Sequence, residues 1–556
     1  MGANLAATVY AWIGQSFALF LLPRSVARSE RLRAIAVWAP AALLLFFLQD
    51  PLILFALVFF LMLALAPLDL TERAAFFLVV APCLPIYLQA PLPFPGINFL
   101  INLTHYKVAA IALLLPLLVV KNKKDPAFAF SIADASLLGY IVYTAFIVGD
   151  TLNATSGLRF LIDQTLILAF PYFALRFAIA NLEDFDKCLR GFLIASILLA
   201  GITLVATAKQ WDFYRLYELE SIMKVPDFRD GLIRIGATAN THSLGYHLAL
   251  CLLFLEYLKR RMHFGFIHLL GLRAVFLASI FVTGSRGAMV GLALAFSTYV
   301  ICTIRSRAQR WTLYAIMIAG LVAGVTWLLV GDFSQIDPHG TFAYRQKLVT
   351  TSIDYILENP FFGDYNYLTS GKFDNLVQGQ GIIDVTNLYL QVGLHYGLIG
   401  LVLFFSVILF SWFGLRKRSG VQNVPIPAVA DTNLSRLSAF VIILIVVPIL
   451  IIVSMVIIGF SNPHLPNDLF FSFIGLLLLA LIVFLTAFSM PKVKTPPASS
   501  SGQYLDIIHA RCVLAGGTVG WLCLVATTSD VGMTVHLGIM LAAFSRAISM
   551  LSMKDA

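Results

Sequence analysis

Charged residues are scarce in this sequence. Only 12% of its 556 residues are Asp, Glu, Lys or Arg, whereas 60% are hydrophobic. In a typical soluble protein about 25% of the residues are charged, so a chain of several soluble domains is excluded. Because a helix needs roughly 20 apolar residues to cross the hydrocarbon core of a bilayer, the composition predicts a protein that crosses a membrane many times.

Cysteine pairs and metal-ligand spacings are also lacking. The six cysteines lie in or beside apolar runs and include no CxxC pair, so neither a disulfide framework nor a zinc site is expected. Asp184-Phe185-Asp186 has the DxD spelling of metal-dependent sugar transferases, but its short loop favours a solvated helix start. The sequence therefore predicts no metal and no cofactor. The net charge of +9 is divided among short clusters, so no nucleic acid partner is expected.

Apolar runs of helical length fill most of the chain. About seventeen can be counted, and since the shortest are also compatible with re-entrant segments, about twelve to fourteen crossings fit as well. The expected fold is all-α: an integral membrane bundle of about 12–17 transmembrane helices. The runs include those at about 74–90, 311–330, 438–459 and 469–489.

Basic residues indicate the orientation of the helices. Loops that alternate along the chain carry nineteen Lys and Arg, and the short loops between them carry almost none. Cytoplasmic loops of membrane proteins are enriched in Lys and Arg. The basic loops are therefore expected in the cytoplasm, and the opposite loops on the periplasmic or outer face.

Two long loops interrupt the helical pattern, and both fall on the outer face. Long loops rich in Asp, Arg, His and Gly are often functional, so chemistry is expected there. The predicted organisation has five parts: an N-terminal bundle (1–207), a first loop (208–240), helices around a tight turn (241–330), a large loop (331–388) and C-terminal helices (389–556) with cytoplasmic linkers near 416–437 and 491–511.

The large loop contains an amphipathic pattern. Val349, Ile353 and Ile356 form an apolar stripe at helical spacing, and the pattern stops at Asn359-Pro360. It predicts a helix that lies along the membrane surface. Arg345 is placed near its start.

Three arginines of the outer face are candidates for binding a phosphate. Arg286 lies in the Gly284–Gly287 turn between two apolar runs, Arg234 ends the first loop, and Arg345 opens the surface helix. The planar guanidinium pairs bidentately with phosphate oxygens. Each arginine alone fits a structural role, and an anionic lipid headgroup fits the set as well as a diphosphate does. Because nucleotide-sugars are cytosolic, a diphosphate met at this face points to a lipid carrier.

Three motifs of the segment at about 230–410 have a familiar order. Phe281–Ala288 resembles the SRG signature of the O-antigen ligase and O-antigen polymerase family. Asn359-Pro360-Phe361-Phe362-Gly363 is similar to its NPxxG pattern in the large loop. The run from Asn387 to Gly400 is similar to its next signature, in which GxxG follows His-Asn.

The resemblance implies a GT-C-like membrane glycosyltransferase of the bacterial inner membrane with its active site on the periplasmic side. Its donor would be an undecaprenyl-diphosphate-linked oligosaccharide, used without metal or nucleotide. Further partners would be membrane lipids, a chain-length regulator and other polysaccharide-assembly proteins. Arg286 and Arg234 would hold the donor diphosphate as catalytic residues, and the expected substrate-binding residues are Arg345, Ser285, Asn387, His339 and His242.

The sequence departs from the ligase pattern at one position. Thr386 stands where ligases have His, and a hydroxyl cannot act as a general base near neutral pH. Asp384 is the nearest carboxylate, so Asp384 and Thr386 are both kept as catalytic candidates, with His242, His247, His339 and His395 as other possible bases. The departure favours a polymerase. The alternatives are a ligase that joins the glycan to lipid A core or protein, and a flippase for lipid-linked glycans.

Overall fold

The computed structural model describes most of the helical chain. The described residues are 2–120, 130–214, 228–315, 341–377, 383–416 and 501–554, with gaps at 24–25, 49, 97, 230–231, 263, 305, 307, 314, 384, 386, 527 and 529–533. The predicted runs at about 438–459 and 469–489, and most of the run at 311–330, lie outside these residues.

The N-terminal half consists of helices joined by short connections. Several begin at a side-chain cap, as where the Asp50 carboxylate accepts the Leu52 amide at 2.8 Å and Asn181 accepts the Asp184 amide at 2.9 Å. The helices are α1 (Gly2–Leu21), α2 (Arg28–Phe47), α3 (Pro51–Leu65), α4 (Leu70–Val80), α5 (His105–Ala109), α6 (Leu115–Val120), α7 (Ile132–Thr151), α8 (Ala154–Gln164), α9 (Phe170–Ala178) and α10 (Leu182–Ala208).

One-turn π-helices make two of these pairs continuous. Ala110–Leu114 joins α5 to α6, and Thr165–Ala169 joins α8 to α9. Two small antiparallel ribbons are also present, β1 (Ala90–Pro91) with β2 (Asn102–Leu103) and β3 (Phe228–Arg229) with β4 (Leu232–Ile233).

The second half carries the three motifs. Its helices are α11 (Thr241–Arg261), α12 (Phe266–Val282), α13 (Arg286–Thr303), α14 (Thr341–Glu358), α15 (Leu388–Arg416), α16 (Ser501–Val525) and α17 (Thr534–Lys554). The amphipathic helix of the large loop is therefore present as α14, and it ends before Asn359 as its sequence predicts.

The chain is an all-α polytopic membrane protein. Within the described residues, eight helices are long and apolar enough to cross a bilayer: α1, α7, α8 with α9, α10, α13, α15, α16 and α17. The prediction of one helix over the run at about 74–90 was wrong, because α4 ends at Val80. Pro82 follows two residues later, and a proline has no backbone N–H with which to continue the helical hydrogen bonds.

Small residues bring α13 and α16 into close contact. A Cβ on Gly291 would lie 2.9 Å from the Gly520 carbonyl oxygen, and one on Gly516 would lie 2.5 Å from the Ala295 carbonyl oxygen. Small residues at such positions let membrane helices approach closely. The pairing is antiparallel, so the start of α13 and the end of α16 lie at the same end of the bundle.

Candidate functional site

The SRG motif forms a tight turn between α12 and α13. Gly284 has a φ of 62°, a left-handed conformation that glycine adopts without steric cost. Ser285 then caps α13, because its hydroxyl oxygen accepts the Ala288 amide at 3.3 Å. Arg286 is thus the first residue of α13. Its side chain is exposed and forms no ion pair with any residue that the structure describes.

Arg234 lies against this turn. Its Nε donates to the Thr283 carbonyl oxygen at 3.1 Å, and its Nη2 donates to Thr241 Oγ1 at 2.9 Å. A Cβ on Gly284 would lie 3.0 Å from Arg234 Nε, so glycine at this position leaves room for the guanidinium. Arg234 therefore contacts the turn that leads into Arg286, although 52 positions separate the two arginines in the sequence.

His242 completes the same site from α11. Its Nδ1 lies 2.9 Å from Ser285 Oγ, and the ring is half-buried. Arg234, Thr241, His242, Ser285 and Arg286 are named the cradle from here on. Helices α11 and α13 both begin in the cradle, and the N-terminus of a helix carries partial positive charge with unpaired amide groups. Two helix ends and two guanidinium groups make the cradle suited to a polyanion.

A buried carboxylate anchors the segment that carries Arg234. Asp212 is 5% exposed, and its Oδ2 accepts the Gly236 amide at 2.8 Å. Ala237 follows with a φ of 48°, a conformation rarely adopted by residues other than glycine. Thr238 donates to the Pro82 carbonyl oxygen at 2.5 Å. These contacts fix the backbone between Arg234 and α11. No local pattern in the sequence indicated this role of Asp212, since Asp212 and Gly236 lie 24 residues apart.

Replacing Asp212 by alanine is expected to weaken binding of the donor. A hydrogen bond from an amide to a buried charged group contributes about 1.5–3 kcal/mol, and its loss would loosen the backbone on which Arg234 stands. The KM for a diphosphate-linked donor should rise about tenfold or more. The KM of Asp212→Asn should rise less, since the amide oxygen of the asparagine can still accept the hydrogen bond from the Gly236 amide. Asp150→Ala is the matched control because Asp150 is exposed at the end of α7. An unchanged KM in Asp212→Ala would contradict the anchoring role.

Asn387 has a structural role in addition to its place in the third signature. Its Oδ1 accepts the Tyr389 amide at 2.9 Å, which caps α15, and its Nδ2 donates to the Ala526 carbonyl oxygen at 3.0 Å. Ala526 directly follows α16, six residues after Gly520. Because α16 pairs with α13 through Gly520 and Gly291 and helices rise about 1.5 Å per residue, the third signature lies at the end of the bundle that holds the cradle.

The NPxxG and GxxG motifs interlock. Gly397 has a φ of 61° and interrupts α15, so the Leu398 amide and the Leu394 carbonyl lose their partners within the helix. The Pro360 carbonyl oxygen accepts the Leu398 amide at 2.7 Å, and the Asp364 amide donates to the Leu394 carbonyl oxygen at 2.7 Å. The NPFFG turn thus satisfies the backbone groups that the break exposes.

Side chains reinforce this interlock. The Tyr143 hydroxyl of α7 lies 3.2 Å from the Phe361 carbonyl oxygen and 3.0 Å from the Tyr396 carbonyl oxygen. The Tyr355 hydroxyl of α14 donates to Asp364 Oδ2 at 2.5 Å. Burial, followed by the hydrogen bond to Asp364, raises the pKa of Tyr355 to about 12, so this donor stays protonated at physiological pH. The large loop is therefore fixed to the membrane helices at the break.

The remaining candidates are distributed differently. Arg345 lies on α14 with its side chain exposed, and α14 packs against α15. That Arg345 binds a phosphate together with Arg234 and Arg286 stays a prediction. Asp384, Thr386 and His339 lie outside the described residues.

Two other histidines have aromatic neighbours. His247 is 2% exposed and its ring is stacked on Phe192, as expected for a core residue. The ring of His395 lies close to the rings of Tyr365 and Tyr367, with a distance of 5.1 Å between ring centroids in each case. Neither contact places a histidine in the cradle, where the described histidine is His242.

The middle of the chain matches a known protein family. A family model described as O-antigen ligase matches residues 271–405. No curated protein and no solved structure matches the sequence. The matched segment includes the SRG turn, the NPFFG turn and the break in α15. Arg234 and His242 lie before this segment, and α16 lies after it. Over residues 271–405 the chain thus matches the O-antigen ligase family, and the resemblance seen in its motifs is confirmed.

Proposed function

We propose that this protein is an inner-membrane glycosyltransferase that polymerises undecaprenyl-diphosphate-linked glycan units at the periplasmic face. The observation that carries the proposal is the cradle, in which Arg234 and Arg286 meet the N-termini of α11 and α13. Positive charge of this kind and number matches a diphosphate. The match of residues 271–405 to the O-antigen ligase family supports a lipid-linked glycan as its bearer.

In the proposed reaction a hydroxyl of the acceptor sugar attacks the anomeric carbon of the donor. A new glycosidic C–O bond forms as the bond to the diphosphate oxygen breaks, and the lipid diphosphate leaves with the electron pair of that bond. Arg234 and Arg286 stabilise the negative charge that develops on it, and such electrostatic stabilisation is often the largest catalytic term. The hydroxyl proton passes to a base, for which Asp384 is the candidate. No metal ion takes part in this proposal.

One observation favours transport as a second function. The break at Gly397 makes α15 a discontinuous helix, and discontinuous helices bind substrates in many transporters. In this chain, however, the NPFFG turn occupies the backbone groups that the break frees. The break lies nine residues after the start of α15. The break is therefore better explained by a structural role in holding the NPFFG turn than by the substrate site of a flippase.

The full chain reconstituted in liposomes with a lipid-linked repeat unit tests the proposal. Lengthening of the glycan in the wild type, but not in Arg286→Ala, supports the transferase. Movement of the lipid-linked unit across the bilayer without any new glycosidic bond would show a flippase instead. Transfer to lipid A core, with no lengthening of the glycan, would show a ligase.

Thr386→Ala distinguishes the polymerase from the ligase within the same assay. Thr386 stands where the ligase pattern has its His, and a hydroxyl cannot supply base catalysis at neutral pH. Thr386→Ala is therefore expected to keep most of the polymerising activity, measured as the rate of glycan lengthening. Loss of nearly all activity would mean that the hydroxyl takes part in the reaction.

A further inference from the structure

We propose that the end of α16 and the start of α17 form a bridge that sets the spacing between the cradle and the third signature. The bridge consists of Trp521, Ala526, Thr528 and Thr534, and its contact on α11 is Ser243. Thr534 and Ser243 are thereby positioning residues for the transfer reaction. The inference rests on the proposed function, and it gives a role to a part of the chain outside the segment that matches the O-antigen ligase family.

The start of α17 contacts the helix that carries His242. The Thr534 hydroxyl lies 2.9 Å from the Ser243 hydroxyl, and both residues are 0% exposed. Ser243 is the third residue of α11, directly after Thr241 and His242 of the cradle. Separating two buried hydroxyl groups from each other costs free energy, because each loses a hydrogen-bond partner away from water. This bond therefore ties α17 to α11 next to the cradle.

The start of α17 is also bound to α16. The Trp521 indole N–H donates to the Thr534 carbonyl oxygen at 2.7 Å, so Thr534 contacts both α11 and α16. Trp521 is 1% exposed, and a buried indole N–H needs an acceptor. A Cβ on Gly538 would lie 2.4 Å from the indole ring, so glycine at this position of α17 leaves the space that the ring occupies. The two helices are therefore held together at the residue that contacts α11.

The residues that follow α16 hold the third signature. The Ala526 carbonyl oxygen accepts Asn387 Nδ2 at 3.0 Å, and the Thr528 carbonyl oxygen accepts the Leu388 amide at 3.1 Å. Leu388 is the first residue of α15, so its amide has no acceptor within the helix. Thr386, which stands at the position of the ligase histidine, directly precedes Asn387. The bridge therefore ends beside the position to which the resemblance assigns the chemistry.

The spacing matters because the reaction joins groups bound at two places. In the proposed function the cradle holds the diphosphate of the donor, and the third signature serves the attacking hydroxyl. A misplacement of about 1 Å between reacting groups can cost about a hundredfold in rate. Movement of α15 relative to α11 should therefore slow the transfer step even where the donor is bound normally.

The donor site itself does not depend on the bridge. The Asn240 side chain caps α11 by accepting the amide of Ser243 at 2.7 Å, not its hydroxyl. Arg234 keeps its hydrogen bond to Thr241 when the hydroxyl contact of Ser243 is lost. Loss of that contact should consequently lower kcat more than it raises the KM for the lipid-linked donor.

Steady-state kinetics of the full chain in liposomes test the positioning role. Thr534→Val keeps the volume of the side chain and removes the hydroxyl, so kcat for glycan transfer should fall about ten- to a hundredfold with the KM close to that of the wild type. Thr534→Ser keeps the hydroxyl and should retain most of the kcat. Thr518→Val is the matched control, since the Thr518 hydroxyl bonds within α16, to the Leu514 carbonyl oxygen at 2.9 Å. An unchanged kcat in Thr534→Val, with or without a raised KM, would overturn the proposal.

Ser243→Ala removes the same hydrogen bond from the side of α11. It keeps the proposal testable if Thr534→Val does not insert into the membrane, and it should reproduce the fall in kcat. The double variant should lower kcat no further than either single variant, because both substitutions remove one shared bond. Effects on kcat that multiply in the double variant would contradict the bridge.

Hydrogen exchange separates the bridge from the proposed function, since it needs no activity. Peptides that contain the start of α15 should exchange faster in Thr534→Val than in the wild type and in Thr518→Val, whereas peptides from the start of α13 should exchange equally in all three proteins. If exchange changes in this way but the wild type transfers no glycan, the proposed function is wrong and the bridge stands. If glycan is transferred while exchange at α15 is the same in all three proteins, the function stands and the bridge is overturned.

Discussion

Arg286→Ala and Arg234→Ala are expected to reduce glycan transfer by at least a hundredfold while the protein stays inserted in the membrane. Removing one preorganised group that stabilises developing negative charge typically costs about 10²–10³ in rate. Arg286 is exposed and unpaired within the described part of the chain, so its loss leaves no partner behind. Arg234 also bonds to Thr283 and Thr241, and its replacement should in addition lower the melting temperature.

Protein amount in membranes and glycan lengthening in liposomes are the two measurements. Arg28→Ala is the matched control, since Arg28 is an exposed arginine at the start of α2, outside the cradle. Arg286→Lys separates charge from geometry: Lys supplies a point charge, whereas the guanidinium offers a planar fork. We expect the Lys variant to retain only a small part of the activity. Nearly full activity in Arg286→Lys would refute bidentate binding, and full activity in both alanine variants would refute the role of the cradle.

Local sequence patterns predicted much of the fold. The apolar stripe that stops at Asn359-Pro360 predicted α14, which ends at Glu358. The SRG motif predicted a tight turn, and Gly284 forms it in a left-handed conformation. Each of these features depends on residues within about one or two helical turns of each other. The error at 74–90 was also local, because Pro82 and Pro85 within that run were the signal that α4 would stop.

Contacts between distant segments could not be predicted from the sequence. Arg234 was expected at the same membrane boundary as Arg286, but its hydrogen bond to the Thr283 carbonyl oxygen depends on how α11, α12 and α13 pack. Asn387 was expected to bind substrate, and the structure shows it capping α15 and bonding to the end of α16. The bond between Asp212 and Gly236 has no counterpart among the motifs of the sequence. The capping bond of Asn387 to Tyr389 is local, but Ala526 lies 139 residues from Asn387 and Gly236 lies 24 residues from Asp212, and no periodicity or spacing in one sequence identifies such partners.

The interlock of NPFFG with α15 is the clearest example of such a contact, and it gives the second large expectation: Gly397→Ala should severely destabilise the large loop. An alanine at a φ of 61° and a ψ of −165°, a region that essentially only glycine adopts, costs about 1–3 kcal/mol. Its Cβ would also overlap the carbonyl group of Phe361, and overpacking of this kind costs about 1–3 kcal/mol more. The turn would have to leave the break and expose the Leu394 and Leu398 backbone groups.

Thermal unfolding in detergent and glycan transfer are the measurements for this variant. Gly271→Ala is the control, since a Cβ at Gly271 in α12 meets no atom within 4 Å, and alanine inside a helix is favoured over glycine by about 0.5–1 kcal/mol. Gly363→Ala should resemble Gly397→Ala, because its Cβ would lie 2.5 Å from the Gly397 amide nitrogen. If both act by unseating the same turn, their combined effect should be smaller than the sum of the two. A Gly397→Ala protein that melts with the wild type would mean that the NPFFG turn does not hold α15 at its break.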